Sequence, residues 1–285
     1  MRCEICSYEP GPNEYIPAAT TRKFAAGDIC RIAESVRVPF LLLFQQTRRE
    51  LATGKVASQS TMHTSAGGTS QSQSTFDSPT ASRTSINPRQ NKAIDRSLLS
   101  IQSRETAAYL RPCVLLAGHR PGRNAHPRVC LCATFGRKAM ESLPRAFQCF
   151  CVPIFPNTGM EGTSADGHLH AFPEWPGDKA AWLIAYPFVS KRQVDDRWYH
   201  RNESGTFSDQ KCSRLDSTQR GKLEKIRESL LDDWRVQCET PGFLDACETE
   251  FLSNEWRKHE GWNKPADSAA GSEQHGSDQL SSTQT

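Results

Sequence analysis

Apolar residues in this chain fall into short clusters separated by polar, Gly- and Pro-marked stretches. Three lie close together: Pro112–Ala117, Val129–Phe135 and Phe147–Phe155. Short apolar runs bounded by turn residues predict buried strands. Phe24–Ile32 adds a turn at Gly27-Asp28 followed by a strand, and Ala180–Val189 adds another, with Pro187 pointing to an edge or an end. Arg197–His200 reads as a further short strand. Over Arg37–Glu50 the run Phe40–Phe44 fits strand and helix alike.

The period changes after Leu215. Leu223, Ile226, Leu230 and Trp234 recur at three- and four-residue steps, which predicts a helix with one apolar face turned to the sheet. Pro241-Gly242 ends it, and Phe243, Cys247 and Phe251 mark a second helix. Two other stretches lack any period. Residues 53–103 are dominated by Ser, Thr and Gln, and 264–285 by Ser, Gln, Gly and Asp. Both are expected to be disordered, because so little apolar surface cannot offset ordering entropy.

The expected layout is a flexible N-terminus over 1–22, a strand domain formed by 23–52 and 104–200, the insert 53–103, a helical part over 201–263 and a tail over 264–285. The fold class is α+β, with a small, mostly antiparallel sheet and a C-terminal helical pair.

Composition changes the picture only in places. The chain has 285 residues and a formal net charge of +3, too near neutral to name a partner. The eleven cysteines, with a polar N-terminus and no apolar run approaching the ~20 residues that cross a bilayer, predict an intracellular protein with reduced thiols and no membrane partner. Charge is concentrated locally. Arg111, Arg120, Arg123, Arg128, Arg137, Lys138 and Arg145 face only Glu141 between positions 111 and 145. Basic loops beside a sheet are either a solvated surface or a footprint for a phosphate backbone.

Three groups carry metal-ligand chemistry in principle. Cys3 and Cys6 form a CxxC, but a zinc site needs a second ligand pair, and Cys30 and His63 stand alone; the pair reads as two free thiols. Cys130/Cys132 and Cys149/Cys151 read as core thiols, since residues two apart on a strand lie roughly 6–7 Å apart, awkward for one tetrahedral ion. His168 and His170 form an HxH that puts both imidazoles on one side of an extended segment, with Asp166 or Glu174 near; they read as ligands of a metal-dependent hydrolase or as polar groups at the lip of the sheet. No metal or other cofactor is expected.

GDICRI at 27–32, RPCVLL at 111–116 and VCLCATF at 129–135 together resemble the core of PemK/MazF-type proteins. The chain as a whole also resembles fungal proteins that share the HLHxxPEW segment found at 168–175. The first resemblance implies an SH3-like β-barrel, a homodimer, and single-stranded RNA as partner, cut without metal. It implies Arg111 as the active-site arginine and Thr134 as the hydroxyl at the scissile phosphate. Arginine there would neutralise charge developing at phosphorus. The local concentration of charge, separately, offers Arg120, Arg123, Arg128, Arg137 and Lys138 as the residues that hold the RNA. The other class of function is a non-catalytic interaction module that meets a protein partner through its C-terminal helices.

Overall fold

Strand β1 (Ile29–Ala33) is entered through a glycine that only glycine can supply. Gly27 sits at φ +90°, and a Cβ there would lie 2.3 Å from the Leu215 carbonyl oxygen. The next residue, Asp28, locks the turn by accepting from Ala25 N at 2.9 Å and pairing with Arg197 Nε at 3.3 Å. The computed structural model describes residues 3, 5–9, 24–53, 88–103, 110–117, 126–156, 167–175, 180–201 and 207–253.

Eight strands form one sheet. After β1 come β2 (Leu110–Leu115), β3 (Arg128–Ala133), β4 (Cys151–Phe155), β5 (Leu169–His170), β6 (Ala181–Ile184), β7 (Phe188–Val189) and β8 (Val194–Arg197). Their order is β5-β4-β6-β3-β2-β1-β8, with β7 also paired to β3. Only β4 and β5 run parallel; the other pairs are antiparallel. The sheet is open, so the described strands do not close the expected SH3-like barrel. Two single-residue bridges nevertheless stitch its edge: Arg214 pairs with Phe172, just past β5, and with Asp28, just before β1. The backbone bonds are Phe172 N to Arg214 O at 2.8 Å, its reciprocal at 2.9 Å, and Leu215 N to Gly27 O at 2.8 Å. We call this line the seam.

Both faces of the sheet are covered, which strand alternation makes possible. Along β3, Val129, Leu131 and Ala133 face one core while Cys130 and Cys132 face the other. The first core is covered by helices: α1 (Arg37–Ala52), α2 (Pro88–Ser103), α3 (Arg145–Phe150), the C-terminal half of α4 (Ser217–Cys238) and α5 (Phe243–Ser253). It is dense in aromatic rings. Phe40 lies 4.3 Å from Phe147, and Trp234 lies 5.7 Å from Phe150 and 6.1 Å from Phe44, centroid to centroid. The second core is lined by smaller side chains, with Leu215, just before α4, and Leu223, in its second turn, closing it. α4 therefore spans from one core to the other.

Several expectations are corrected. The stretch 37–50 is helical; Pro39 falls in its first turn, where the missing N–H costs no intrahelical bond. Part of the stretch expected to be disordered, Pro88–Ser103, is helix α2, and Ile94 and Leu98 are buried on it. The remaining residues of that insert, 54–87, and the tail 264–285 lie outside the described residues. Phe147–Phe155 is not one strand: its first half completes α3, and β4 begins at Cys151. Of the two placements expected for Pro187, an edge or an end, the second holds: it lies between the end of β6 and the start of β7, and β6 is paired on both sides. The part expected to be helical from 201 begins instead with a hairpin, β9 (Tyr199–Arg201) and β10 (Phe207–Cys212). Trp234 is buried as expected, but against α1, α3 and α5 more than the sheet. Among the described residues no helix is long and apolar enough to cross a membrane.

Candidate metal centre

The seam gathers two half-sites that look incomplete in the sequence. The N-terminal CxxC folds back so that Ser7 N donates to Cys3 O at 2.8 Å, a turn completed by Ser7 at φ 55°. It sits against β5. There the alternation places Leu169 in the core and turns His168 and His170 to the opposite side. Cys3 Sγ lies 3.5 Å from His168 Nε2, Cys6 Sγ 3.2 Å from His170 Nε2, and the two Nε2 atoms are 3.0 Å apart. All four ligand atoms lie within 4.8 Å of one another.

These distances fit one ion. A tetrahedron with Zn–S bonds of about 2.3 Å and Zn–N bonds of about 2.0–2.1 Å sets ligand atoms roughly 3.3–3.8 Å apart. Two thiolates and two imidazoles in that geometry select zinc over oxygen-seeking cations. The site is closed: four protein atoms fill a tetrahedral ion, leaving no position for a substrate. It is also dry, with Cys3, His168 and His170 buried and Cys6 half-buried. Burial, then the neighbouring His168, lowers His170 to about 4, which keeps its imidazole in the neutral form that binds metal. Burial raises the Cys6 thiol, so a thiolate there needs a cation beside it.

Aromatic rings hold His170 in place. Tyr8 stacks on it at 4.6 Å and Phe155, its neighbour in register on β4, lies 4.9 Å away. The backbone N–H of His170 donates to Gln219 Oε1 at 3.0 Å, from the first turn of α4.

The expectation that the CxxC lacks a second ligand pair is corrected: neither half-site is isolated, because the chain brings each to the other. Of the four strand-region thiols, Cys130 and Cys132 are buried core thiols, while Cys149 and Cys151 are half-buried against the helix-covered core. The two pairs face opposite cores, and burial pushes Cys130 up to about 12.

Among the described residues, Arg111 and Arg128 do not share one patch. Register puts Arg128 beside Leu116, whose N–H donates to Arg128 O at 3.0 Å. Arg111 lies five residues back along β2, roughly 17 Å away at the strand rise. Arg128 is exposed, on the side of Cys130, where Arg227 of α4 also acts on that thiol. Half-buried Arg111 shares the helix-covered face with Cys113 and Leu115, opposite Ile32 of β1. Thr134 is the residue past β3 and leads into a 3-10 turn over Phe135–Arg137. Lys138 follows it, half-buried. Arg120, Arg123 and the side chain of Arg137 lie outside the described residues.

Comparisons with family models, with curated proteins and with solved structures find no match to this chain.

Proposed function

We propose that this chain is a non-catalytic binding module whose fold is fastened by a structural zinc ion at Cys3, Cys6, His168 and His170. One observation carries this reading: a CxxC and an HxH, about 165 residues apart in sequence, converge with all four ligand atoms inside 4.8 Å. A closed four-ligand set argues for structure over catalysis, and so against a hydrolase acting through His168 and His170. The test is elemental analysis of the purified full chain. One zinc per chain is expected, lost in Cys3→Ser and in His170→Ala. Less than a tenth of an equivalent in the parent protein would refute the reading.

A second reading concerns what the module binds. Exposed Arg128 acts on the same buried thiol, Cys130, as Arg227 of α4, which pairs with Glu224, and this end of β3 carries the candidate cationic edge. We propose single-stranded RNA as its partner, in keeping with the PemK/MazF-like segments. The edge stitched by Arg214 supports a barrel-like origin for the sheet. Binding should weaken steeply as salt rises, because cation–phosphate contacts release counterions. Fluorescence polarisation with a labelled single strand tests it; Arg128→Glu should weaken binding, and no binding at low salt would end this reading. If cleavage accompanies binding, it should need no added metal and be lost in Arg111→Ala more than in Thr134→Ala.

A further inference from the structure

Around the four ligands runs a chain of contacts that no ligand requirement explains. The Tyr8 hydroxyl donates to Asp216 Oδ2. Asp216 is the N-cap of α4, and its Oδ1 accepts from Gln219 N at 2.6 Å. Gln219 Oε1 in turn accepts from the His170 backbone N–H at 3.0 Å. Asp216 and Gln219 are buried, 5% and 2% exposed, so these polar groups are committed to one another. The path begins two residues after Cys6 and ends on His170, one from each half-site. Between them stands the start of α4, two residues past Arg214, the residue that stitches the seam.

An N-cap needs only one carboxylate oxygen. The second oxygen of Asp216 holds the ring that stacks on His170, and it fixes where the CxxC loop can sit. Side chains that orient ligands from outside the first shell typically change metal affinity 10–100-fold when removed. We infer that Tyr8, Asp216 and Gln219 are positioning residues of the metal centre, joining the CxxC loop and β5 across the N-terminus of α4, so that the metal clasps the seam. This rests on the metal reading above.

The test uses the full chain, stripped of metal and titrated with zinc against a chromogenic chelator, and with cobalt(II) as a spectroscopic stand-in. Tyr8→Phe removes one oxygen and keeps the stack on His170. Asp216→Ser keeps a cap for Gln219 N but cannot reach Tyr8. Each is expected to bind one zinc per chain at least tenfold more weakly than the parent, with the tetrahedral cobalt absorption retained and the metal-free melting temperature unchanged. Zinc affinity within twofold of the parent in Tyr8→Phe would overturn the inference. So would a loss of metal-free stability in that variant without a loss of affinity, because the contact would then serve folding alone. Tyr8→Phe decides the matter even if Asp216→Ser does not fold. A parent protein that takes no zinc fails at the first titration, which refutes the metal reading itself and is told apart from failure of the positioning residues.

Discussion

The two faces of the sheet are held by different physics. The helix-covered face is filled by Phe40, Phe44, Phe135, Phe147, Phe150, Trp234 and Phe251, all nearly or wholly buried. Rings of this size bury 150–250 Å² each and hold elements together without further help. They are reinforced by Arg48 of α1, which donates to Glu248 Oε1 at 2.7 Å and to Asp245 Oδ1 at 2.8 Å on α5. The seam face is lined instead by Ala171, Ala181, Ala185, Cys130 and Cys132 among larger aliphatics, with Trp175 as its one buried ring among the described residues. Its edge strand, β5, has two residues, and the sheet there is tied by single bridges at Arg214. Small side chains bring less apolar area, so this edge gains less from burial. The metal centre proposed at that edge would supply what packing does not. The comparison teaches that the cores are asymmetric in kind: one rests on large rings, the other on small side chains and single bridges.

The sharpest way to break this comparison is to remove a ligand. Structural zinc binding is worth on the order of 10 kcal/mol in small zinc-dependent folds. His170→Ala should therefore cause the largest loss of stability of any substitution considered. The loss should be local in its first stage. Hydrogen exchange should quicken over 168–172 and 214–219, while α1 and α5 stay protected. Uniform loss of protection would mean that the two faces do not differ.

The converse test lies on the helix face. Trp234 is 1% exposed, and its indole meets Phe44, Phe150 and Phe243. Trp234→Ala should cost roughly 3–5 kcal/mol, the range for a large buried aromatic. Denaturant unfolding should show this cost equally with and without zinc. A cost that vanishes in chelator would tie the helix face to the metal and erase the distinction.

What could be read from the sequence divides along the same line. Leu223, Ile226, Leu230 and Trp234 announce α4 because a helix writes its buried face at fixed steps. The strands β2 and β3 announce themselves through RPCVLL and VCLCA for a similar reason. The metal centre does not, because its halves are joined by topology and not by spacing. Cys3-x-x-Cys6 lacks a second pair by any local rule, and His168-x-His170 lacks thiolates; only a fold that returns β5 to the N-terminus unites them. A sign was present in that each half supplies two of the four ligands that zinc takes. Helix α2 was hidden differently: Ile94, Leu98 and Ile101 form a clear stripe, but Ser, Gln and Asn around them mask it in any compositional average. The basic residues from Arg111 to Lys138 looked like one cluster because sequence proximity says nothing of which end of a hairpin a residue occupies.

Gly27 lies where the comparison can be sharpened, since it joins β1 to the seam. Alanine there must adopt a left-handed conformation, costing roughly 1–2 kcal/mol, and its Cβ would meet the Leu215 carbonyl oxygen at 2.3 Å. Backbone cannot swing aside as a side chain can, so the segment 213–215 must move. Gly27→Ala should lower stability by about 2–4 kcal/mol, strain and overlap together. It should also weaken zinc binding several-fold, because Asp216 follows directly on Leu215. Lost stability with unchanged zinc affinity would show that seam and metal centre are independent.

The smallest effect concerns one hydrogen bond on the helix face. Thr47 Oγ1 donates to Leu43 O at 2.9 Å within α1 and accepts from Trp234 Nε1 at 2.9 Å. Thr47 is 4% exposed, so water cannot replace it. Thr47→Val keeps the shape and removes the acceptor, leaving a buried indole N–H with its partner gone, which costs about 1–3 kcal/mol. Thr47→Ser keeps the acceptor and removes one methyl group, so its cost should be nearer to the ~0.8 kcal/mol of a single buried methylene-sized group. The order Val worse than Ser is the informative result, since packing alone predicts the reverse. If Thr47→Val proved as stable as the parent, the indole contact would contribute nothing, and the helix face would stand on ring packing alone. Neither variant should alter zinc affinity, because Thr47 lies in the aromatic core under α1, whereas the four ligands lie at the β5 edge.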